Sequence, residues 1–200
     1  LKTKDCELKI GAQNCFWEAS GGPYTGEVSP LMLKNMGCEY VILGHSERKR
    51  VFGETEEVIN KKLKAVLSVG LQPILFFGEM EQMTDAVAKK EIIRQLEKLL
   101  AGVEKQFLLR ILFVYEPAFA VSTQGGKPLD SKEVEEKHML ARKYLSNRFG
   151  LKPVILYGGS VDEGNLRSYL KETGIDCVVI GQASISSKKL EKIIKICLKI

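Results

Sequence analysis

The stretch Tyr40-Val41-Ile42-Leu43-Gly44-His45-Ser46-Glu47-Arg48 decides how this chain is read. A short apolar run suited to a buried strand ends in glycine, and the glycine delivers a histidine, a hydroxyl and two charges. The same grammar recurs along the chain. Ile111-Leu112-Phe113-Val114-Tyr115 delivers Glu116-Pro117, Val154-Ile155-Leu156-Tyr157 delivers Gly158-Gly159-Ser160, and Cys177-Val178-Val179-Ile180 delivers Gly181. Buried-type strands that each finish in a reactive or glycine residue are what a parallel barrel needs to assemble one site on one face.

Outward from these strings, strand-like runs alternate with longer amphipathic stretches. Strands are expected near 8–14, 39–44, 72–77, 110–115, 153–158 and 175–180, and helices near 29–37, 55–69, 83–104, 131–149, 162–172 and 187–198. In the third helix Ile92, Leu96, Leu99 and Leu100 recur at helical steps with Lys and Glu between them. Strands separated by helices of this length imply parallel, right-handed βαβ units. No low-complexity linker or composition break divides the chain, so residues 1–200 are expected to form one domain. A closed barrel of eight units usually takes roughly 250 residues. The expectation is therefore an α/β (β/α)8 barrel of which this chain carries units three to eight, with two units placed before Leu1. An open doubly wound sheet would want a G-x-G-x-x-G after its first strand, and none is present.

Composition narrows the chemistry. Hydrophobic residues make up 44%, enough for a sizeable core, and the longest apolar runs are strand-length, which argues against a membrane span or a signal peptide. The five cysteines show no paired C-x-x-C spacing and read as reduced, cytoplasmic thiols. Two histidines are too few for a histidine-rich metal site. A net charge of +5 without a basic, aromatic-interleaved stripe gives no argument for nucleic acid, although it could help steer an anionic substrate.

Individual residues carry different weight. His45 follows a strand and precedes what reads as a helical turn; a helix N-terminus disfavours imidazolium and keeps the ring neutral. His138 sits inside a Lys- and Glu-rich helix and reads as structural. Glu116 follows five apolar residues, where a carboxylate is costly unless paired or used. It reads as a general base, or else as a rim glutamate in an ion pair. Gly158-Gly159-Ser160 and Gly181 end the last two strands, where backbone N–H groups make anion nests. In barrels the phosphate site frequently lies in the loops after strands seven and eight.

Four strings together resemble the triosephosphate isomerase family: Tyr24-Thr25-Gly26-Glu27-Val28-Ser29-Pro30, Val41 to Arg48, Tyr115-Glu116-Pro117 and Tyr157-Gly158-Gly159-Ser160-Val161. The resemblance covers essentially the whole chain in the family's order. It implies that Glu116 moves a proton between neighbouring carbons of dihydroxyacetone phosphate and D-glyceraldehyde 3-phosphate, while His45 polarises the carbonyl and Glu47 supports the site as an ion-pair partner; the pairing of a glutamate base with a neutral histidine is well known for that family. Ser122, Gly159, Ser160, Gly181 and Gln182 would hold the phosphate. On the same resemblance no metal or organic cofactor would take part, the reaction would belong to glycolysis and gluconeogenesis in the cytoplasm, and neither nucleic acid nor membrane is expected as a partner. The family is generally a homodimer. Its long third loop matches Asn14 to Glu27, with Thr25 reaching the partner's site and Glu27 pairing across the interface with Arg48. Phe16, Trp17 and Tyr24 are expected to be exposed there and covered by the partner.

The resemblance has departures. The family's first strand carries an asparagine and a lysine that contact substrate, and neither maps onto this chain. The lid, usually Pro-Val-Trp-Ala-Ile-Gly-Thr-Gly, reads Pro117-Ala118-Phe119-Ala120-Val121-Ser122-Thr123-Gln124, so two glycines are lost and an altered lid is expected. Gln182 stands where a second glycine is usual, Phe76 where a cysteine is usual, and Lys49 where an arginine is usual. A noncatalytic partial-barrel relative that binds phosphate or serves assembly is the alternative reading. Another phosphate-binding barrel enzyme would fit the phosphate loops but not the G-H-S-E-R and Y-E-P strings.

Overall fold

The computed structural model describes residues 8–121, 126–172 and 174–199. Ser122 and Gln124, expected in the lid, lie outside them. The elements run β1 (Gly11–Ala12), α1 (Pro30–Asn35), β2 (Tyr40–Leu43), α2 (Ser46–Phe52), α3 (Glu56–Ser68), β3 (Gln72–Phe77), α4 (Asp85–Leu99), α5 (Lys105–Leu108), β4 (Leu112–Tyr115), α6 (Ser131–Phe149), β5 (Val154–Tyr157), α7 (Leu166–Glu172), β6 (Cys177–Val178) and α8 (Ser187–Cys197). Short 3-10 turns at Ala118–Ala120 and Gln182–Ile185 follow β4 and β6. The strands hydrogen-bond in sequence order, β1-β2-β3-β4-β5-β6.

Two compact units hold these elements. The first comprises Leu1–Leu75 and Glu97–Leu112. In it β1 pairs with β2 in parallel from Gly11↔Tyr40, and β2 pairs with β3 in parallel from Tyr40↔Gln72 to Leu43↔Leu75. Val41, Leu75, Ile59, Leu63 and Val66 are wholly buried there, joining the strands to one face of α3. The second unit comprises Phe76–Leu96 and Phe113–Ile200. In it β5 pairs with β6 in parallel through Leu156↔Cys177 and Tyr157↔Val178, and the core gathers Phe113, Tyr115, Tyr157, Val134, Leu145 and Leu166.

Local chemistry accounts for most boundaries. Ser29 Oγ accepts from Met32 N at 3.2 Å, and Pro30 opens α1. Thr55 caps α3 with Glu56 and Glu57 in its first turn. Asp130 caps α6 through Lys132 N at 2.9 Å, and Gly150 ends it in the left-handed region.

Other boundaries correct the expectation. The helix expected over 83–104 is interrupted: α4 stops at Leu99, the chain turns through Gly102 at φ +66°, and α5 follows. The helix expected from 162 begins only at Leu166, because Asp162 Oδ1 accepts from Gly164 N at 2.8 Å and holds a turn instead. The expected strands at 8–14 and 175–180 shrink to the two residues of β1 and of β6. Beyond the opening turn foreseen after His45, α2 is a seven-residue helix. No helix of the described residues is long and apolar enough to cross a membrane.

Candidate active site

At the end of β2 the chain leaves the sheet through Gly44, at φ +76°, and His45 becomes the N-cap of α2. Its Nδ1 accepts from the backbone N–H of Glu47 at 3.2 Å. A ring nitrogen that accepts carries no proton, so the geometry selects the neutral tautomer with hydrogen on Nε2. Glu47 is exposed in the first turn of the helix.

Arg48, expected to face a partner, is engaged within its own chain. Glu54 Oε1 accepts from Arg48 Nε at 2.8 Å, and also lies 2.6 Å from both Arg48 Nη2 and Lys62 Nζ. Lys62 is 3% exposed and donates further to Asn14 Oδ1 at 2.9 Å. This tether between helix α2, helix α3 and the Asn14 loop went unread in the sequence, because a glutamate six residues beyond Arg48 falls on no helical spacing.

The loop from Asn14 to Glu27 is partly self-organised. Phe16 is buried, contrary to expectation: its ring lies 4.1 Å from Trp17 and 4.8 Å from Tyr24, and its N–H donates to Val28 O at 2.9 Å. Trp17 is half-buried, whereas Tyr24, Thr25 and Glu27 are exposed. Cys15 beneath them is buried, which pushes its thiol up to about 12.

In the second unit, Glu116 follows β4 directly and is 4% exposed. Its N–H donates to Phe77 O at 2.8 Å, and two residues later Ala118 N donates to Glu79 O at 2.8 Å. Between those bonds Gly78 lies flat against the Glu116 peptide. A Cβ built on Gly78 would stand 2.3 Å from Glu116 O, and the glycine adopts φ +147°, so no side chain fits. Gln95, 1% exposed on α4, reaches this glycine with both ends of its amide. Gly78 N donates to Gln95 Oε1 at 3.1 Å, and Gln95 Nε2 donates to Gly78 O at 2.9 Å.

Behind β4, Tyr115 O–H approaches Glu79 Oε1 at 3.4 Å, while Glu79 Oε2 has no hydrogen-bond partner. Burial raises the Glu79 carboxyl above its ordinary value. Glu79 helps line a cavity of about 250 Å3 with Gln82, Met83, Ala88, Phe119 and Leu129. His138 is structural, as expected. It is 2% exposed, its Nε2 lies 3.3 Å from Leu156 O, and burial lowers it to about 4.

Gly159, Ser160, Gly181 and Gln182, expected to hold phosphate, also lie in the second unit. Gly159 is buried, and a Cβ there would strike the Tyr157 hydroxyl at 2.2 Å. Ser160 donates from Oγ to Ala120 O at 2.8 Å, tying this loop to the 3-10 turn after Glu116. Gly181 and Gln182 are exposed at the start of the last 3-10 turn. A Cβ on Gly181 would meet open space. Among the described residues no group of three or more His, Cys, Asp or Glu could hold a metal ion.

Parallel β-α units in strand order, with reactive or glycine residues directly after their strands, are the pattern of the barrel-type enzymes. Comparison with known proteins sharpens that class. The family model described as triosephosphate isomerase matches residues 2–197. The triosephosphate isomerase of Dictyoglomus thermophilum is 40% identical over 197 residues, covering 96% of this chain and 78% of that protein. That of Geobacter metallireducens is 38% identical, covering 95% and 76%. The crystal structure of triosephosphate isomerase from Bartonella henselae superposes with a TM-score of 0.81 at 30% identity, covering 94% of this chain and 77% of that one. The chain belongs to the triosephosphate isomerase family.

Proposed function

We propose that, in this chain, the isomerisation of dihydroxyacetone phosphate and D-glyceraldehyde 3-phosphate runs through Glu116 and His45. The Glu116 carboxylate takes a proton from the carbon beside the carbonyl, and the electrons of that C–H bond form the enediolate. His45 donates from Nε2 to the oxygen on which charge develops. The proton on the hydroxyl that becomes the new carbonyl passes by way of His45 to the oxygen that becomes the new hydroxyl, and the protonated Glu116 returns its hydrogen to the neighbouring carbon, so the carbonyl moves by one position and nothing is consumed.

The observation that carries this reading is the hydrogen bond from Glu47 N–H to His45 Nδ1. A ring fixed by the Glu47 N–H must present Nε2–H as a donor, which suits a carbonyl oxygen and not a metal. Gly159, Ser160, Gly181 and Gln182 would hold the phosphate with Ser122, and Glu47 would support the site as an ion-pair partner. The six β-α units are read as the third to eighth of a (β/α)8 barrel, because the glycine loops after β5 and β6 then fall after strands seven and eight. Thr25, Glu27 and Arg48 are read as interface residues of a homodimer, on the strength of the exposed tip around Tyr24, Thr25 and Glu27. A cytoplasmic setting suits a soluble triose substrate.

Deuterium uptake tests the chemistry. In D2O, the natural gene product should convert dihydroxyacetone phosphate into glyceraldehyde 3-phosphate bearing deuterium on the carbon that receives the proton. Phosphate binding with no deuterium uptake would overturn the proposal in favour of a noncatalytic relative.

A further inference from the structure

We infer that Gln95 is a positioning residue for the base: by clamping Gly78 from behind, it sets where the Glu116 peptide lies. The inference rests on Glu116 being the base, and adds to that reading a residue on α4 that no sequence motif marks.

The argument begins with strand geometry. Successive residues of a strand direct their peptide groups to opposite sides. Phe77 O and Glu79 O both bond to the β4 side, taking Glu116 N and Ala118 N. The N–H and C=O of Gly78 between them therefore point away from β4. The β2–β3 register ends at Leu43↔Leu75, two residues before β3 itself ends at Phe77. Gly78 accordingly finds its partners in a side chain, with Oε1 of Gln95 accepting at 3.1 Å and Nε2 donating at 2.9 Å. A primary amide is the one uncharged side-chain group that offers donor and acceptor together in the geometry of a peptide.

The amide is itself oriented. Gln95 Nε2 also donates to Glu91 Oε1 at 2.8 Å, and Glu91 is gripped by Arg94 at 2.6 and 2.7 Å. That contact fixes which end of the amide carries the nitrogen and hence which end meets the Gly78 carbonyl. Gly78 in turn sits so close to Glu116 that not even a methyl could be inserted. A shift of Gly78 is therefore transmitted to the Glu116 backbone with no slack. A base displaced by about 1 Å loses on the order of a hundredfold in rate.

The experiment compares Gln95→Leu, Gln95→Glu and Glu116→Gln in the natural gene product, recording kcat, KM and thermal midpoint from pH 5 to pH 9. Gln95→Leu should lower kcat roughly tenfold to a hundredfold with KM changed much less, since substrate still meets the same phosphate loops. Gln95→Glu keeps the acceptor for Gly78 N but donates to Gly78 O only when protonated. Its kcat relative to the parent should therefore recover as pH falls, at temperatures where the thermal midpoint shows the variant fully folded at every pH, so that recovered stability is not its source. If Gln95→Leu does not fold, that pH profile decides. A parent-like kcat in Gln95→Leu, or a Gln95→Glu profile parallel to the parent at every pH, overturns the inference. Activity surviving in Glu116→Gln would instead refute the base assignment, so the two failures are distinguishable.

Discussion

At the end of β2 the chain turns through Gly44 straight into a helix, and the N-terminus of that helix anchors His45. At the end of β4 only a three-residue 3-10 turn follows, and Glu116 instead leans on the backbone of β3, through Phe77 O and the bare face of Gly78. The first arrangement is local: two residues of separation supply the cap, and the ring tautomer follows from it. The second is assembled from residues 17 to 38 positions apart, since Gly78 meets Gln95 on one side and Glu116 on the other. On the proposed roles, His45 has only to present one fixed donor, which one helix end can provide, whereas Glu116 has to meet first one carbon and then its neighbour, and its backbone is held from several directions.

Substitutions can break each half of this contrast. His45→Gln should lower kcat by about a hundredfold to a thousandfold, the scale of losing one preorganised donor, or about 3 to 4 kcal/mol; steady-state kinetics check it, and circular dichroism should show the fold intact. Lys62→Met strips one of the two cations from a buried glutamate and should destabilise the first unit by about 3 kcal/mol in urea titration. Gly78→Ala forces a Cβ against Glu116 O in a conformation that only glycine adopts comfortably. It should remove about 2 kcal/mol of stability and lower kcat with it.

The smallest effect is a pH slope in the second unit. His138 stays neutral down to about 4 when folded but takes up its proton near 6.5 when unfolded. Between these values the unfolded chain binds more protons, so stability falls as pH drops from about 6.5 towards 4 and is fully present above that window. At pH 5 the loss should be about 2 kcal/mol, and His138→Gln should remove that part of the slope in thermal melts. Glu79, with its carboxyl raised by burial, has the opposite sign: folding favours its protonated form, and stability is lost as pH rises through the folded value.

The contrast also marks what the sequence could reveal. The strings ending in His45, Glu116, Gly159 and Gly181 were legible because apolar runs and glycines write strand ends directly. The place of His45 ahead of a helical turn was legible too, whereas its tautomer follows only from the Glu47 N–H contact. Gln95 was invisible: on a Lys- and Glu-rich helix a glutamine looks like solvated surface, and only the fold reveals that it is 1% exposed and bonded to Gly78. The Arg48–Glu54–Lys62 tether escaped for a similar reason, because its members come from two helices and the link between them, and its spacing is set by a turn at Gly53. Phe16 was misread as exposed because an aromatic in a loop carries no periodicity, and its burial by Trp17 and Tyr24 is a tertiary event. Asp162 misled in the other direction, since a residue that can cap a helix can equally hold a turn four residues ahead of one.

The most direct test of the account is the turnover of Glu116→Gln, measured with its thermal midpoint and its affinity for inorganic phosphate. The substitution keeps the size of the side chain and removes its capacity to take a proton. The account predicts that kcat falls by about a hundredfold to ten-thousandfold, with the fold and phosphate affinity retained. Parent-like turnover in a folded Glu116→Gln protein would contradict it, and the base would have to be sought elsewhere in the molecule.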